Sequence, residues 1–141
     1  MSPQTLTSRL GYAGLVPFVL LVALMWLVDA ELLPFVAMAL ISYAATIVSF
    51  LGGVHWGVGF MKGDAAPRFH FIWGVTPSLF AWIALMMPAY AGLPLLALVV
   101  VACYVVDRKT YPSAGLTGWL PLRFRLTAVA TASCLLGAAA V

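Results

Sequence analysis

The feature that most constrains this chain is a series of long apolar segments separated by short polar ones. A helix needs about 20 mostly apolar residues to cross the hydrocarbon core of a bilayer. Five segments meet or approach this length: 10–28, 33–60, 71–87, 90–106 and 122–141. The sequence therefore predicts an all-α, polytopic membrane protein, with a single domain over residues 1–141 that forms a bundle of five transmembrane helices.

Composition excludes a soluble domain. Of the 141 residues, 65% are hydrophobic and only 8% are charged, whereas soluble domains contain about 25% charged residues. The net charge of +3 is small, so the expected partner is the lipid bilayer and not nucleic acid. Cys103 and Cys134 lie inside apolar runs, which indicates packing residues and not a disulfide. Because the chain has no CxxC, zinc spacing, P-loop or GxSxG motif, we predict no metal site and no catalytic residue.

The basic residues predict how the chain is oriented. All seven Lys and Arg residues fall on one side if the chain crosses the membrane five times. Since Lys and Arg are enriched on the cytoplasmic side, we predict a cytoplasmic (or matrix-side) N-terminus and an external C-terminus. The first segment is expected to be a retained helix, because its apolar run is too long for a typical signal peptide and only Arg9 precedes it.

Small residues recur at every fourth position of the second segment. Ala45, Ser49, Gly53 and Gly57 share one helix face, which ends in the GxxxG motif "GVHWG". Small residues let helices approach closely in lipid, where no hydrophobic drive brings them together. We predict a helix-packing face within the bundle, with a contact between subunits as the alternative.

His55 lies on another face of this segment, between Gly52 and Gly59. Glycines three residues before it and four residues after it leave room beside the imidazole ring. One interpretation is a histidine that is hydrogen-bonded to a neighbouring helix. The other is a group that faces a ligand or carries a proton, since ionisable residues within membranes are often functional.

Polar and aromatic residues gather at the basic side of the predicted bundle. The candidate ligand or polar-cluster residues are His55, Trp56, Trp73, Ser78, Asp107, Arg108, Arg123 and Arg125. They form either an interfacial belt at headgroup depth or a pocket with a cationic rim, open to the cytoplasmic leaflet. Arg123 and Arg125 point apart, so at most one faces inward, and Asp107 is expected to pair with a basic residue of the last helix. His70 is placed in or beside a loop, which argues against bis-histidine haem ligation inside the bundle.

Three strings carry a resemblance to a known family: "SFLGGVHWG", "TPSLFAWIAL" and "YPSAGLTGWLPLRFRLTAVAT". Together with "YVVDRK" they resemble the transmembrane protein 69 family, whose bacterial members are known as domain of unknown function 3429. The similarity runs from about Gly11 to Ala132. It implies a multi-pass protein of the bacterial cytoplasmic (inner) membrane or the mitochondrial inner membrane, and it supplies no activity. The residues of the family motif are His55, Trp56, Pro77, Asp107, Arg123 and Arg125.

Three functions fit these observations. The favoured hypothesis is an accessory or assembly subunit of a membrane complex, such as a respiratory one, with other inner-membrane proteins as partners. The alternative is a binder or carrier of an amphipathic small molecule (a lipid, quinone or tetrapyrrole) in a cytoplasmic-side pocket around His55. An enzyme is the third, with His55 and Asp107 as acid and base. The sequence leaves the cofactor or ligand open.

Overall fold

The computed structural model describes residues 1–141 and contains helices and no strands, which confirms the predicted all-α class. The helices are α1 (Pro3–Ala13), α2 (Val16–Leu27), α3 (Leu33–Lys62), α4 (Arg68–Leu85), α5 (Ala89–Thr110) and α6 (Leu120–Ala140). Short 3-10 turns lie at Gly63–Ala65, Pro112–Ala114 and Thr117–Trp119. The first of these joins α3 to α4, and the other two lie in the α5–α6 connection.

The first predicted segment, 10–28, is divided into two helices. The break at Gly14 and Leu15 precedes Pro17, which has no N–H to continue the helical hydrogen-bond ladder. The hydroxyl of Tyr43 donates to the carbonyl oxygen of Gly14 and satisfies one of the acceptors at the break. The chain also becomes helical earlier than predicted, because the Ser2 side chain accepts a hydrogen bond from the Thr5 N–H and caps α1.

Four helical stretches are long and apolar enough to cross a membrane, by length and composition. They are Pro3–Leu27, Leu33–Ala65, Ala89–Thr110 and Thr117–Ala140. The remaining helix, α4, has 18 residues but carries Arg68 and His70 in its first turn and Pro77 in its interior. These residues lower its mean hydropathy, so the predicted count of five crossings is not confirmed by this measure.

Helix α3 is the centre of the bundle. It packs against α2, α4, α5 and α6. Its fully buried side chains include Leu40, Ile41 and Val48, which join Leu93 and Leu96 of α5 in one apolar core. The same helix carries His55 of the site described below.

Two glycines form a close contact between α3 and α4. A Cβ atom on Gly52 would lie 2.4 Å from the carbonyl oxygen of Gly74, and a Cβ on Gly74 would lie 2.3 Å from the ring of Trp56. Gly52 cannot accept a side chain unless the two helices move apart, and a side chain at Gly74 would displace the Trp56 indole. The space predicted beside the His55 imidazole at Gly52 is therefore filled by the backbone of α4.

The predicted small-residue face is buried only in its first part. Ala45 is buried and Ser49 is half-buried, but Gly53 and Gly57 are exposed, with no atom within 4 Å of a built Cβ. The GxxxG motif is thus not confirmed as a contact within the bundle. Residues four apart rotate by about 40° per step around a helix, so a stripe that is buried at Ala45 has turned about 120° by Gly57. The packing glycine is Gly52, one position earlier.

Candidate functional site

Buried polar side chains from four helices form a continuous chain of hydrogen bonds at the basic end of the bundle. In order they are His70 of α4, His55 of α3, Asp107 of α5, and Arg123 and Thr127 of α6. Each is at most 7% exposed. We call these five residues the polar chain.

Asp107 is the centre of the polar chain. Its Oδ1 lies 2.7 Å from Nε2 of His55, and its Oδ2 accepts from Nε and Nη2 of Arg123 at 3.1 and 2.8 Å. The ion pair expected between Asp107 and the last helix is therefore made with Arg123. A buried carboxylate is costly unless it is paired and hydrogen-bonded, and here both of its oxygens have partners.

The two histidines of the polar chain contact each other through the Nδ1 atom of each ring. Nδ1 of His55 lies 3.0 Å from Nδ1 of His70, and the rings stack with 29° between their planes. Oδ1 of Asp107 accepts a hydrogen bond from Nε2–H of His55, so Nδ1 of a neutral His55 carries no hydrogen and accepts the Nδ1–H of His70. Nε2 of His70 then makes no hydrogen bond within the protein.

Local sequence determines which way each group points. Neighbouring residues in a helix are about 100° apart, so Asp107 faces the core while Arg108 is exposed. Arg123 and Arg125 diverge as predicted: Arg123 is 7% exposed, whereas Arg125 lies on the surface. His70 is the third residue of α4, which follows Pro67, and its position depends on where that helix begins.

Two aromatic side chains lie beside His55. The ring centroids of Phe69 and Tyr111 lie 6.1 and 6.4 Å from that of His55. Tyr111 directly follows α5 and is 5% exposed. Burial, together with the negative charge of Asp107, raises the pKa of Tyr111 to about 12, so the phenol stays protonated.

A cavity of about 560 Å³ lies beside the polar chain, between α1, α2, α3, α5 and α6. Most of its lining is apolar, with Leu10, Phe18 and Leu126 among the lining residues. Arg123 and Thr127 form part of its wall. Arg123 therefore belongs both to the polar chain and to the cavity.

Five of the eight predicted site residues lie outside the polar chain: Trp56, Trp73, Ser78, Arg108 and Arg125. The Trp56 indole N–H donates to the carbonyl oxygen of Phe71 at 2.9 Å and joins α3 to α4. The indole nitrogen of Trp73 is buried without a hydrogen-bond partner. Ser78 donates within its own helix, to Val75.

The two remaining arginines are surface groups. Arg108 is exposed at the end of α5. Arg125 donates to the hydroxyl of Tyr12 at 2.9 Å, in an exposed contact between α6 and α1. The cationic rim predicted for a pocket is therefore reduced to Arg123.

The predicted site omits three residues that the structure places in or against the polar chain: His70, Tyr111 and Thr127. His70 is missed because the helix is expected to begin at Phe71, whereas α4 begins at Arg68. Pro67 is the signal for this earlier start, since proline favours the beginning of a helix. No pattern in the connecting segment points to Tyr111, because its burial depends on how α5 and α6 pack.

Comparisons with known proteins agree with a membrane protein of open function. A family model described as "Protein of unknown function (DUF3429)" matches residues 3–139. Transmembrane protein 69 of Xenopus tropicalis is 43% identical over 79 residues, which is 55% of this chain and 31% of that relative. The match thus spans less than a third of the relative's length. No solved structure matches the chain.

Proposed function

The chain belongs to DUF3429, a family of proteins of unknown function, and we propose that it binds an amphipathic small molecule in the cavity beside the polar chain. The observation that carries this proposal is the make-up of the cavity wall. Its volume of about 560 Å³ falls within the range of about 300–1,000 Å³ that is usual for ligand pockets. An apolar body would lie against Leu10, Phe18 and Leu126, and a polar head would face Arg123 and Thr127.

The head group is expected to accept hydrogen bonds. A guanidinium has five N–H donors and no acceptor, and Arg123 uses three of them on Asp107 and Thr127. The unused N–H groups suit a carboxylate, phosphate, phenolate or carbonyl oxygen. Lipids, quinones and tetrapyrroles all combine such a group with an apolar body.

We also propose five membrane crossings within one domain, in a bacterial inner membrane, with a cytoplasmic N-terminus. The first crossing consists of α1 and α2, and α4 is the third. The position of all seven basic residues on one side supports this arrangement. So does the packing of α4 against α3, which brings the backbone of Gly74 close to Gly52.

The test is mass spectrometry of the tagged protein, purified in mild detergent from its native membrane. We expect about one small molecule per chain, as for a single pocket. Val54→Trp should displace it, because Val54 lines the cavity. The matched control is Val105→Trp, since Val105 is 45% exposed on α5 and lies outside the cavity.

The same purification separates this proposal from the accessory or assembly role. Stoichiometric partner proteins without a small molecule would favour that role and contradict ligand binding. Equal ligand occupancy in the Val54→Trp and Val105→Trp variants would also contradict ligand binding in this cavity.

A further inference from the structure

We infer that the ligand carries an acidic head group and is bound together with one proton, the head group at Arg123 and the proton on the His55–His70 pair. This inference rests on the proposed ligand function and adds the chemical class of the ligand. It follows from three features of the polar chain: its charge balance, the single contact between the imidazoles, and the position of Arg123 in the cavity wall.

The charge balance of the polar chain makes it unfavourable to bind an anion without also binding a proton. With both imidazoles neutral, the polar chain contains one buried anion, Asp107, and one buried cation, Arg123. An anionic head group at Arg123 would leave a net negative charge where the dielectric is low, which is costly. One proton taken up by the histidine pair restores neutrality next to Asp107.

The other titratable groups near the two histidines do not take up this proton. Tyr111 stays protonated, and the Cys103 thiol lies buried on α5, four residues before Asp107. Lys62 is the last residue of α3, before the connection to α4, and it brings no negative charge to the site. The two imidazoles are therefore the groups that gain the proton.

The geometry gives the proton a defined route. A proton is added at Nε2 of His70, which makes no hydrogen bond within the protein. The proton on Nδ1 of His70 then moves across the 3.0 Å contact to Nδ1 of His55. The result is a neutral His70 that is protonated on Nε2 and an imidazolium at His55 that still donates to Asp107. Because one proton occupies the Nδ1–Nδ1 contact, the pair gains one proton and not two.

The proton site is tested without any ligand by nitrogen NMR. The chain has only two histidines, so ¹⁵N-histidine labelling gives signals from their ring nitrogens alone. We expect scalar coupling between the two Nδ1 atoms across the shared hydrogen bond, and uptake of one proton by the pair as the pH is lowered. His70→Gln should remove the coupling. Two uncoupled rings that each gain a proton would overturn the inference.

The coupling between ligand binding and proton uptake is tested on protein in phospholipid nanodiscs. The two ligands are the amphiphiles dodecanoate and 1-dodecanol. Calorimetry in two buffers of different protonation enthalpy measures the protons taken up, and empty nanodiscs correct for partition into lipid. We expect dodecanoate to bind with uptake of about one proton, and dodecanol to bind with none. His55→Gln should abolish the proton uptake.

The outcomes separate the two proposals. Binding of dodecanoate to the cavity without proton uptake would overturn the proton linkage and leave the ligand function standing. Failure of both amphiphiles to bind more than empty nanodiscs would contradict the ligand function itself. Binding that survives Val54→Trp would place the amphiphile outside the cavity and contradict both.

Discussion

The two ends of the bundle are built from the same helices by different means. At the end opposite the polar chain, the backbone of α6 at Gly137 is surrounded by apolar side chains of Met25, Leu40 and Leu93. At the basic end, α3, α5 and α6 meet again, through His55, Asp107 and Arg123. The first end is held by close packing, and the second by hydrogen bonds between ionisable groups.

This difference indicates where function lies. Close apolar packing is a sufficient means to join helices in lipid, and the apolar end relies on it. A buried ion pair is weak evidence for stability, because apolar residues of similar volume often serve as well. Stability alone therefore does not explain the polar chain. The proposed ligand binding in the adjacent cavity is an explanation that involves the same residues.

The largest expected effect comes from removing the charge at the centre of the polar chain. Asp107→Asn would leave Arg123 as an unpaired buried cation, which costs about 3–5 kcal/mol of unfolding free energy. Thermal unfolding in detergent measures the change. Asp64→Asn is the matched control, since Asp64 is exposed in the α3–α4 connection, and it should unfold like the wild type. Equal stability of both variants would mean that the Asp107–Arg123 pair does not hold the helices together.

The apolar end should respond through cavity formation. Leu93→Ala removes a fully buried side chain, and such truncations cost about 2–5 kcal/mol. Leu98→Ala, on the same helix at a position that is 65% exposed, should cost much less. If Leu93→Ala also lowered ligand occupancy as strongly as a change in the cavity wall, the two ends would not be independent.

Substitutions at Gly52 and Gly53 test which of these neighbouring residues of α3 contacts α4. Gly52→Ala places a Cβ against the backbone of Gly74, and overpacking of this kind costs about 1–3 kcal/mol. Gly53→Ala meets open space, and the higher helix propensity of alanine should leave stability equal or slightly greater. Unfolding of the two variants, one residue apart, decides the comparison. The reverse ranking would restore the GxxxG face as a contact of the bundle.

Much of the fold follows from the sequence because apolar length determines the helices. The predicted segments all become helical, and the errors concern where helices break or begin. The break near Pro17 and the start at Arg68 depend on single prolines. The shift from Gly53 to Gly52 arises because a four-residue repeat drifts around a helix. A one-residue error is enough to exchange a packing position for an exposed one.

The site was less accessible to prediction, because it depends on contacts between distant residues. His55, Asp107 and Arg123 stand out as ionisable groups near apolar segments, and the structure brings these three together. His70 lies 15 residues from His55 and joins it only because α3 and α4 are antiparallel neighbours. No sequence spacing reveals that both rings present Nδ1, since this depends on the rotation of each helix.

The smallest expected effect separates the two arginines of α6. Arg125→Gln removes an exposed hydrogen bond to Tyr12, and exposed polar contacts of this kind contribute little. We expect no measurable change in unfolding midpoint or ligand occupancy. Arg123→Gln, two residues earlier, should lower both, because it unpairs Asp107 and removes the polar wall of the cavity. A loss of occupancy in Arg125→Gln would move the head group to the surface between α1 and α6, so this pair of variants determines which arginine faces the ligand.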